Sequence, residues 1–213
     1  MPLCNKSTRV LLVEGRDDRE VVFQICNYHS VNNRDLFEVE SKNGYESLRD
    51  DLKVRPLTGL TIIGAIVDAD VDPHERWDSL RGALREVGYR NVPQEPFERG
   101  TIIPGIGPLP SVGIWLMPNN RLAGILEDFL ALLIGQNDVL LEKAESCIDS
   151  IPEEHRKFRQ NYRSKALIHT WLAWQEEPGT PFGLAITKHY LNGDHAIITQ
   201  FLEWLTRLFP SQQ

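Results

Sequence analysis

The chain is predicted to form an α/β fold, a mostly parallel central sheet flanked by helices with a helical C-terminal extension. Three observations predict it. Short apolar runs alternate with helix-period segments, in the order strand–helix–strand–helix–strand–helix over residues 9–87. The run from Thr61 to Val67 is almost wholly apolar and β-branched, as in a central strand covered on both faces. Two apolar runs end in carboxylates, Leu11-Leu12-Val13-Glu14-Gly15 and Ile66-Val67-Asp68-Ala69-Asp70-Val71-Asp72. In open parallel sheets, ligands bind beyond the carboxyl ends of the strands.

The elements follow in order. Residues 9–13 form a buried strand, and Gly15 permits a tight turn. Asp17 or Asp18 caps a helix to about Tyr28, with Val21, Val22 and Ile25 on its apolar side. Residues 36–41 alternate as a second strand, Lys42-Asn43-Gly44 is a turn, and Tyr45 to Lys53 is a helix. After the third strand a helix covers Glu75 to Val87 and stops at Gly88. Residues 91–110, rich in Pro and Gly, form a long loop around a short strand at 101–103. Val112 to Met117 is a strand stopped by Pro118. Leu122 to Ile134 is an amphipathic helix with Leu122, Ile125, Leu126, Phe129, Leu130 and Leu133 on one arc. Ser150-Ile151-Pro152-Glu153 has the form of a capping box, which predicts a helix from about 151. Helices are also expected over 164–174 and from Asp194 to Phe209, with a loop at 179–183 between them. The last helix faces Ile197, Ile198, Phe201, Leu205 and Leu208 inward.

At 213 residues, 41% hydrophobic and 25% charged, the sequence suits one domain with a sizeable core. The formal net charge of −7 argues against a broad, non-specific nucleic-acid surface. It does not exclude a nuclease, because bound metal ions supply positive charge where it is needed. Cys4, Cys26 and Cys147 are widely spaced and have no zinc-ligand pattern, so reduced thiols are expected. With no signal-peptide stretch and no apolar run near the length of a membrane span, a soluble cytoplasmic protein is expected. The six histidines have no ligand spacing. The five tryptophans lack interleaved basic residues and fit a core or a helical interface.

The acids carry the functional argument. Side chains alternate along a strand, so Asp68, Asp70 and Asp72 are expected on one side, and Glu14 faces them if the two strands are neighbours. Like charges gathered this way repel unless a cation lies between them, and Mg²⁺ prefers carboxylate oxygens. Two alternatives stay open here. Glu14 accepts from helix N-terminal amides, or Asp72, before Pro73, caps the next helix. On the same rim, Gly15, Arg16, Lys42 and Gly44 are candidates for phosphate contacts. Plain turns, and an Arg16–Asp18 pair, are the bland alternatives.

Val13-Glu14-Gly15 with Asp68-Ala69-Asp70 resembles the Toprim superfamily, which includes topoisomerase–primase domains, small RNA-maturing nucleases and the nuclease halves of OLD-type anti-phage ATPases. That resemblance covers about residues 8–118, the expected core, with 119–213 as a helical part. Gly113-Ile114-Trp115-Leu116-Met117-Pro118, Gly124-Ile125-Leu126-Glu127-Asp128-Phe129 and Lys165-Ala166-Leu167-Ile168-His169-Thr170 are similar to the stand-alone Toprim-like group DUF3226. This extends the resemblance to nearly the whole chain. The resemblance implies Mg²⁺ or Mn²⁺ held by Glu14, Asp68 and Asp70, with Asp72 nearby and Glu127 as a further ligand. It also implies Glu14 as general acid/base and Lys165 offsetting transition-state charge, whereas the residues alone read Glu127 as a solvated helix residue and Lys165 as a surface lysine. One departure is Asn119, where relatives often carry an acid, which weakens any accessory metal contact there.

These expectations lead to a metal-dependent phosphodiesterase or nuclease acting on DNA or RNA. Two rivals stand beside it. One is a non-catalytic Toprim-fold binding module in a larger complex, for example with an ATPase partner. The other is a phosphatase or nucleotide hydrolase on a small substrate, which the acidic charge penalises less. A monomer and a homodimer both fit the apolar C-terminal helix.

Overall fold

A computed structural model describes residues 8–211. Its centre is a five-stranded sheet in the order β2-β1-β3-β5-β4. The strands are β1 (Arg9–Val13), β2 (Glu38–Ser41), β3 (Ile62–Asp68), β4 (Thr101–Ile103) and β5 (Ser111–Met117). β1 pairs in parallel with β2 and β3, and β3 pairs in parallel with β5. Only the short edge strand β4 runs antiparallel, against β5. The fold is therefore mixed α/β with a mostly parallel sheet flanked by helices, as the alternating pattern predicts.

Period-two alternation explains why β1 and β3 are apolar throughout. Val10, Leu12, Ile63, Ala65 and Val67 face one layer, where they meet Leu48, Leu52, Trp77, Leu80 and Leu84. These come from α3 (Tyr45–Val54) and α4 (Pro73–Val87). Leu11, Val13 and Ile66 face the other, larger layer. That layer holds α1 (Arg16–Tyr28), α5 (Leu126–Leu132), α7 (Arg163–Ala173), α8 (Phe182–Thr187) and α9 (Ala196–Leu208). A short turn of helix, α2 (Asn33–Leu36), precedes β2, and α6 (Val139–Asp149) packs against α7.

Two glycines let α9 lie flat on the sheet. Gly64 and Gly113 are register partners on β3 and β5. A Cβ at Gly113 would stand 2.3 Å from Leu208 Cδ2, and one at Gly64 would stand 2.6 Å from Leu11 Cδ1. Trp115, Phe201 and Trp204 then fill the space between sheet and helix, with ring centroids 5.3–5.8 Å apart.

Several expected elements differ. The helix predicted over 122–134 is only α5, because residues 119–125 form a turn instead. Asn119 Oδ1 accepts from the N–H groups of Arg121 and Leu122, and Gly124 adopts a φ of 145°. Leu122, expected on the buried arc, is exposed. No helix starts at 151. The Ser150–Glu153 box lies just after α6, which Asp138 starts by accepting from Leu141 N–H at 2.7 Å. The loop expected at 179–183 ends at Pro181, the N-cap from which α8 begins. Trp77, Trp115, Trp171 and Trp204 are buried, whereas Trp174 is exposed. Cys26 is a buried free thiol and Cys147 an exposed one, while Cys4 lies outside the described residues. Among the described residues no helix is long and apolar enough to cross a membrane.

Candidate functional site

The site begins where β1 and β3 end side by side. Val13 is the register partner of Ile66, so Glu14 and Asp68 leave the sheet at nearly the same level. Glu14 Oε1 accepts from the Asp68 backbone N–H at 2.9 Å, which ties the two strand ends together. Gly15 turns the chain into α1. There the Asp18 carboxylate reaches back to the Gly15 N–H at 3.0 Å, as the third residue of a capping box does. This reach aims a buried carboxylate at the strand ends. The first turn of α5 repeats the device. Asp128 accepts from the Ile125 N–H at 2.8 Å, and the neighbouring Glu127 is 97% buried, its exposure being 3%. Lys165, in the first turn of α7, lies 3.1 Å from Glu127 Oε1.

The charges in this corner do not balance. Burial pushes the Asp68 carboxyl well above the usual range, and the charges of Glu14, Asp18 and Glu127 push it further, against the Leu126 N–H. Asp68 Oδ1 is buried without a hydrogen-bond partner. Burial also raises Glu14, opposed by the Asp68 N–H and the charge of Arg76. Asp18 is pushed up to about 6, first by burial and then by the charges of Glu127 and Asp17, against the pull of its backbone hydrogen bonds. Lys165 is raised: burial works against its charge, and the carboxylates of Glu127, Asp17 and Asp68 more than offset it. Among the described residues, the four carboxylates are answered by Lys165, paired with Glu127, and by the charge of Arg76 acting on Glu14.

Of the predicted site residues, the fold brings together Glu14, Asp68, Glu127 and Lys165. Asp70 and Asp72 part from them. The strand ends at Asp68, and Asp70 adopts a left-handed φ of 53°, so period-two alternation does not carry beyond the sheet. The Asp70 backbone instead exchanges two hydrogen bonds with Gly124, at 2.9 and 2.7 Å. Its half-exposed carboxylate pairs with Arg76, whose guanidinium carbon lies over the Tyr45 ring, 3.6 Å from the centroid. Asp72 is the N-cap of α4, accepting from His74 N–H at 2.8 Å and Glu75 N–H at 3.3 Å, the capping alternative that the sequence leaves open.

On the rim, Lys42 is held by Glu40 at 2.8 Å and Asp51 at 2.7 Å, so its charge is already matched. Gly44 donates to the Glu14 carbonyl at 3.1 Å. The Gly15 N–H is given to Asp18, and Arg16 is exposed at the start of α1. Sequence reasoning saw Asp18 only as a helix cap or a partner for Arg16. The signal for more was its three-residue spacing from Gly15, which turns an Asp at that position back toward the strand end.

Among the described residues no three His, Cys, Asp or Glu side chains form a ready cage for a metal ion. The donor set nevertheless fits a hard divalent cation. It is all carboxylate oxygen, it carries surplus negative charge, and one buried oxygen lacks a partner. Glu14, Asp68 and Glu127, with Asp18 behind them, are the residues that would hold it.

A family model described as "Protein of unknown function (DUF3226)" matches residues 8–210. No curated protein matches the chain. Among solved structures, the C-terminal region of the OLD protein from Xanthomonas campestris pv. campestris is similar. It is 15% identical with a TM-score of 0.47, over 94% of this chain and 95% of that one.

Proposed function

The chain belongs to the DUF3226 family of proteins of unknown function, and we propose that it is a Toprim-type, Mg²⁺- or Mn²⁺-dependent phosphodiesterase whose centre is the acidic corner at Glu14, Asp18, Asp68 and Glu127. One observation carries this reading. Asp68 ends a central strand among three other carboxylates, with a buried oxygen that has no hydrogen-bond partner among the described residues. A folded chain tolerates such a cluster at a functional site more readily than elsewhere. A divalent ion bound there would polarise a phosphoryl oxygen and lower the pKa of a water.

The chain's own groups supply the rest. Glu14 is fixed through one oxygen by the Asp68 N–H, which leaves its other oxygen to exchange a proton with the attacking water. Its raised pKa suits proton exchange closer to neutrality. Lys165, oriented by Glu127, presents a fixed positive charge to the phosphoryl group as negative charge develops.

A second reading, hydrolysis of a small phosphorylated substrate, is favoured by the state of Lys42. Its pairing with Glu40 and Asp51 removes a rim cation that a long polynucleotide backbone would use. The experiment is cleavage of supercoiled DNA, single-stranded DNA, structured RNA and free nucleotides in Mn²⁺, wild type against Asp68→Asn. Metal-dependent turnover that vanishes in the variant is expected, and the preferred member of the panel separates the two readings. A chain inert toward the whole panel would sink the catalytic proposal and favour a binding module.

A further inference from the structure

Beside the acidic corner opens a cleft of about 190 Å³ that no step so far uses. Asp17, His169, Leu172, Ala173, Pro181 and Phe182 line it. It adjoins the corner in two ways. Asp17 directly precedes Asp18, and its charge is felt by both Asp18 and Lys165. His169 follows Lys165 on α7 by four residues, just over one helical turn and about 6 Å along the axis.

The lining is divided by chemistry. Leu172 and Phe182 are buried and apolar, and Pro181 offers no N–H. The exposed His169 ring leans on Phe182 with centroids 4.9 Å apart and planes at 35°. Asp17 contributes an exposed carboxylate at the edge. A wholly apolar occupant would desolvate Asp17 without giving it a partner. A simple amine would leave the aromatic wall unused. A flat heterocycle carrying an amino group satisfies both, stacking on the exposed His169 ring that Phe182 backs and donating to Asp17.

We propose that this cleft receives a nucleobase of the nucleotide whose phosphate lies at the acidic corner. The proposal rests on the corner being a phosphate site and adds the substrate class. One turn of α7 separates the cation beside the phosphate from the ring beside the base, a distance that one sugar can span. A base held this way is unstacked from its neighbours, so the substrate is a nucleotide, a single strand or a frayed end.

The test is equilibrium binding in Ca²⁺ of two probes, deoxycytidine 5′-monophosphate and deoxyribose 5-phosphate. It compares the wild type with Ala173→Leu, which adds bulk at an exposed lining position in the last turn of α7. The wild type is expected to bind the nucleotide about tenfold more tightly than the sugar phosphate, the scale of one stacked base. Ala173→Leu should remove that preference and leave sugar-phosphate affinity within about twofold, on the same stacking scale. Equal affinity for the two probes in the wild type overturns the proposal. So does no nucleotide binding, or a preference that survives Ala173→Leu. Failure of the corner is read separately. Asp68-dependent turnover without a base preference removes only the cleft, and a base preference without turnover removes only the catalysis.

Discussion

Asp68 and Asp70 stand two residues apart and occupy opposite electrostatic settings. Asp68 faces Glu14, Asp18 and Glu127, and the ammonium group of Lys165 is already 3.1 Å from Glu127. Asp70 lies on the far side of the β3 end, in a cleft where Arg76 pairs with it and stacks on Tyr45. Arg49 approaches the same ring at 5.7 Å and pairs with Glu46. The Asp70 cleft meets its acids with arginines from the chain. The Asp68 corner pairs Glu127 with Lys165 and leaves Asp68 without a matched cation. An acidic group that the fold has balanced has little call on an outside cation, and one that the fold has left unbalanced does. The difference arises from one backbone feature, the left-handed φ at Asp70 that lets its backbone bridge to Gly124.

The largest expected effect follows from that asymmetry. Asp68→Asn should lower metal-dependent turnover by about a thousandfold or more, because it removes charge at the centre of the corner. Asp70→Asn should cost less than about tenfold, since the ion pair that it breaks is half exposed and worth roughly 0–1 kcal/mol. Rates of both variants in saturating Mn²⁺ decide the matter. Losses of equal size would break the comparison, because they would mean that Asp70 leaves Arg76 and joins the corner in the working state.

Lys165→Met comes next. Loss of a fixed charge aimed at the transition state should lower kcat about a hundredfold with little change in KM. Mg²⁺ affinity should not fall, because the variant removes the cation that competes for Glu127. The matched change on the other side, Arg76→Met, should move kcat by less than about tenfold, as for loss of a half-exposed pair whose charge also acts on Glu14. A Lys165→Met enzyme that is weakened only in KM would reassign the lysine to ground-state binding.

The asymmetry was only half legible in the sequence. The sheet could be read because β3 is buried on both faces and its apolar run says so. Glu14 and Asp68 followed, as the residues at which adjacent parallel strands stop. Asp70 and Asp72 were expected with them because alternation was extended past the end of the strand. Alternation is a property of extended backbone, and neither a left-handed residue nor a helix cap preserves it. The start of the helix expected over 122–134, and the helix expected from about 151, fail for a related reason. Their boundaries are set by side chains that reach backbone N–H groups, Asn119 in one turn and Asp138 at the start of α6. The apolar arc beginning at Leu122 looked the same in sequence whether or not those bonds formed. Asp18 stayed hidden because capping and lining a site are served by the same residue at once.

The smallest expected effect is on stability, and it reads the imbalance with no substrate at all. Asp18 is pushed up from an ordinary 3.8 to about 6 by burial and neighbouring charge, and Glu14 and Asp68 move in the same direction. A group that binds its proton more tightly when folded stabilises the fold fully below its unfolded pKa. That contribution is lost as pH rises through the folded value. Metal-free protein should therefore gain stability, on the order of 2 kcal/mol, as pH falls from 7 toward 4. Most soluble proteins, whose paired carboxylates titrate low, lose stability over the lower part of that range. Thermal unfolding in a chelator checks the slope. Asp18→Asn should flatten it, and saturating Mg²⁺ should raise Tm at pH 7 far more than at pH 5, because protons and metal compete for the same oxygens. A metal-free protein that is most stable near neutrality would show that the corner is balanced by the chain after all, and would leave Asp68 no different in kind from Asp70.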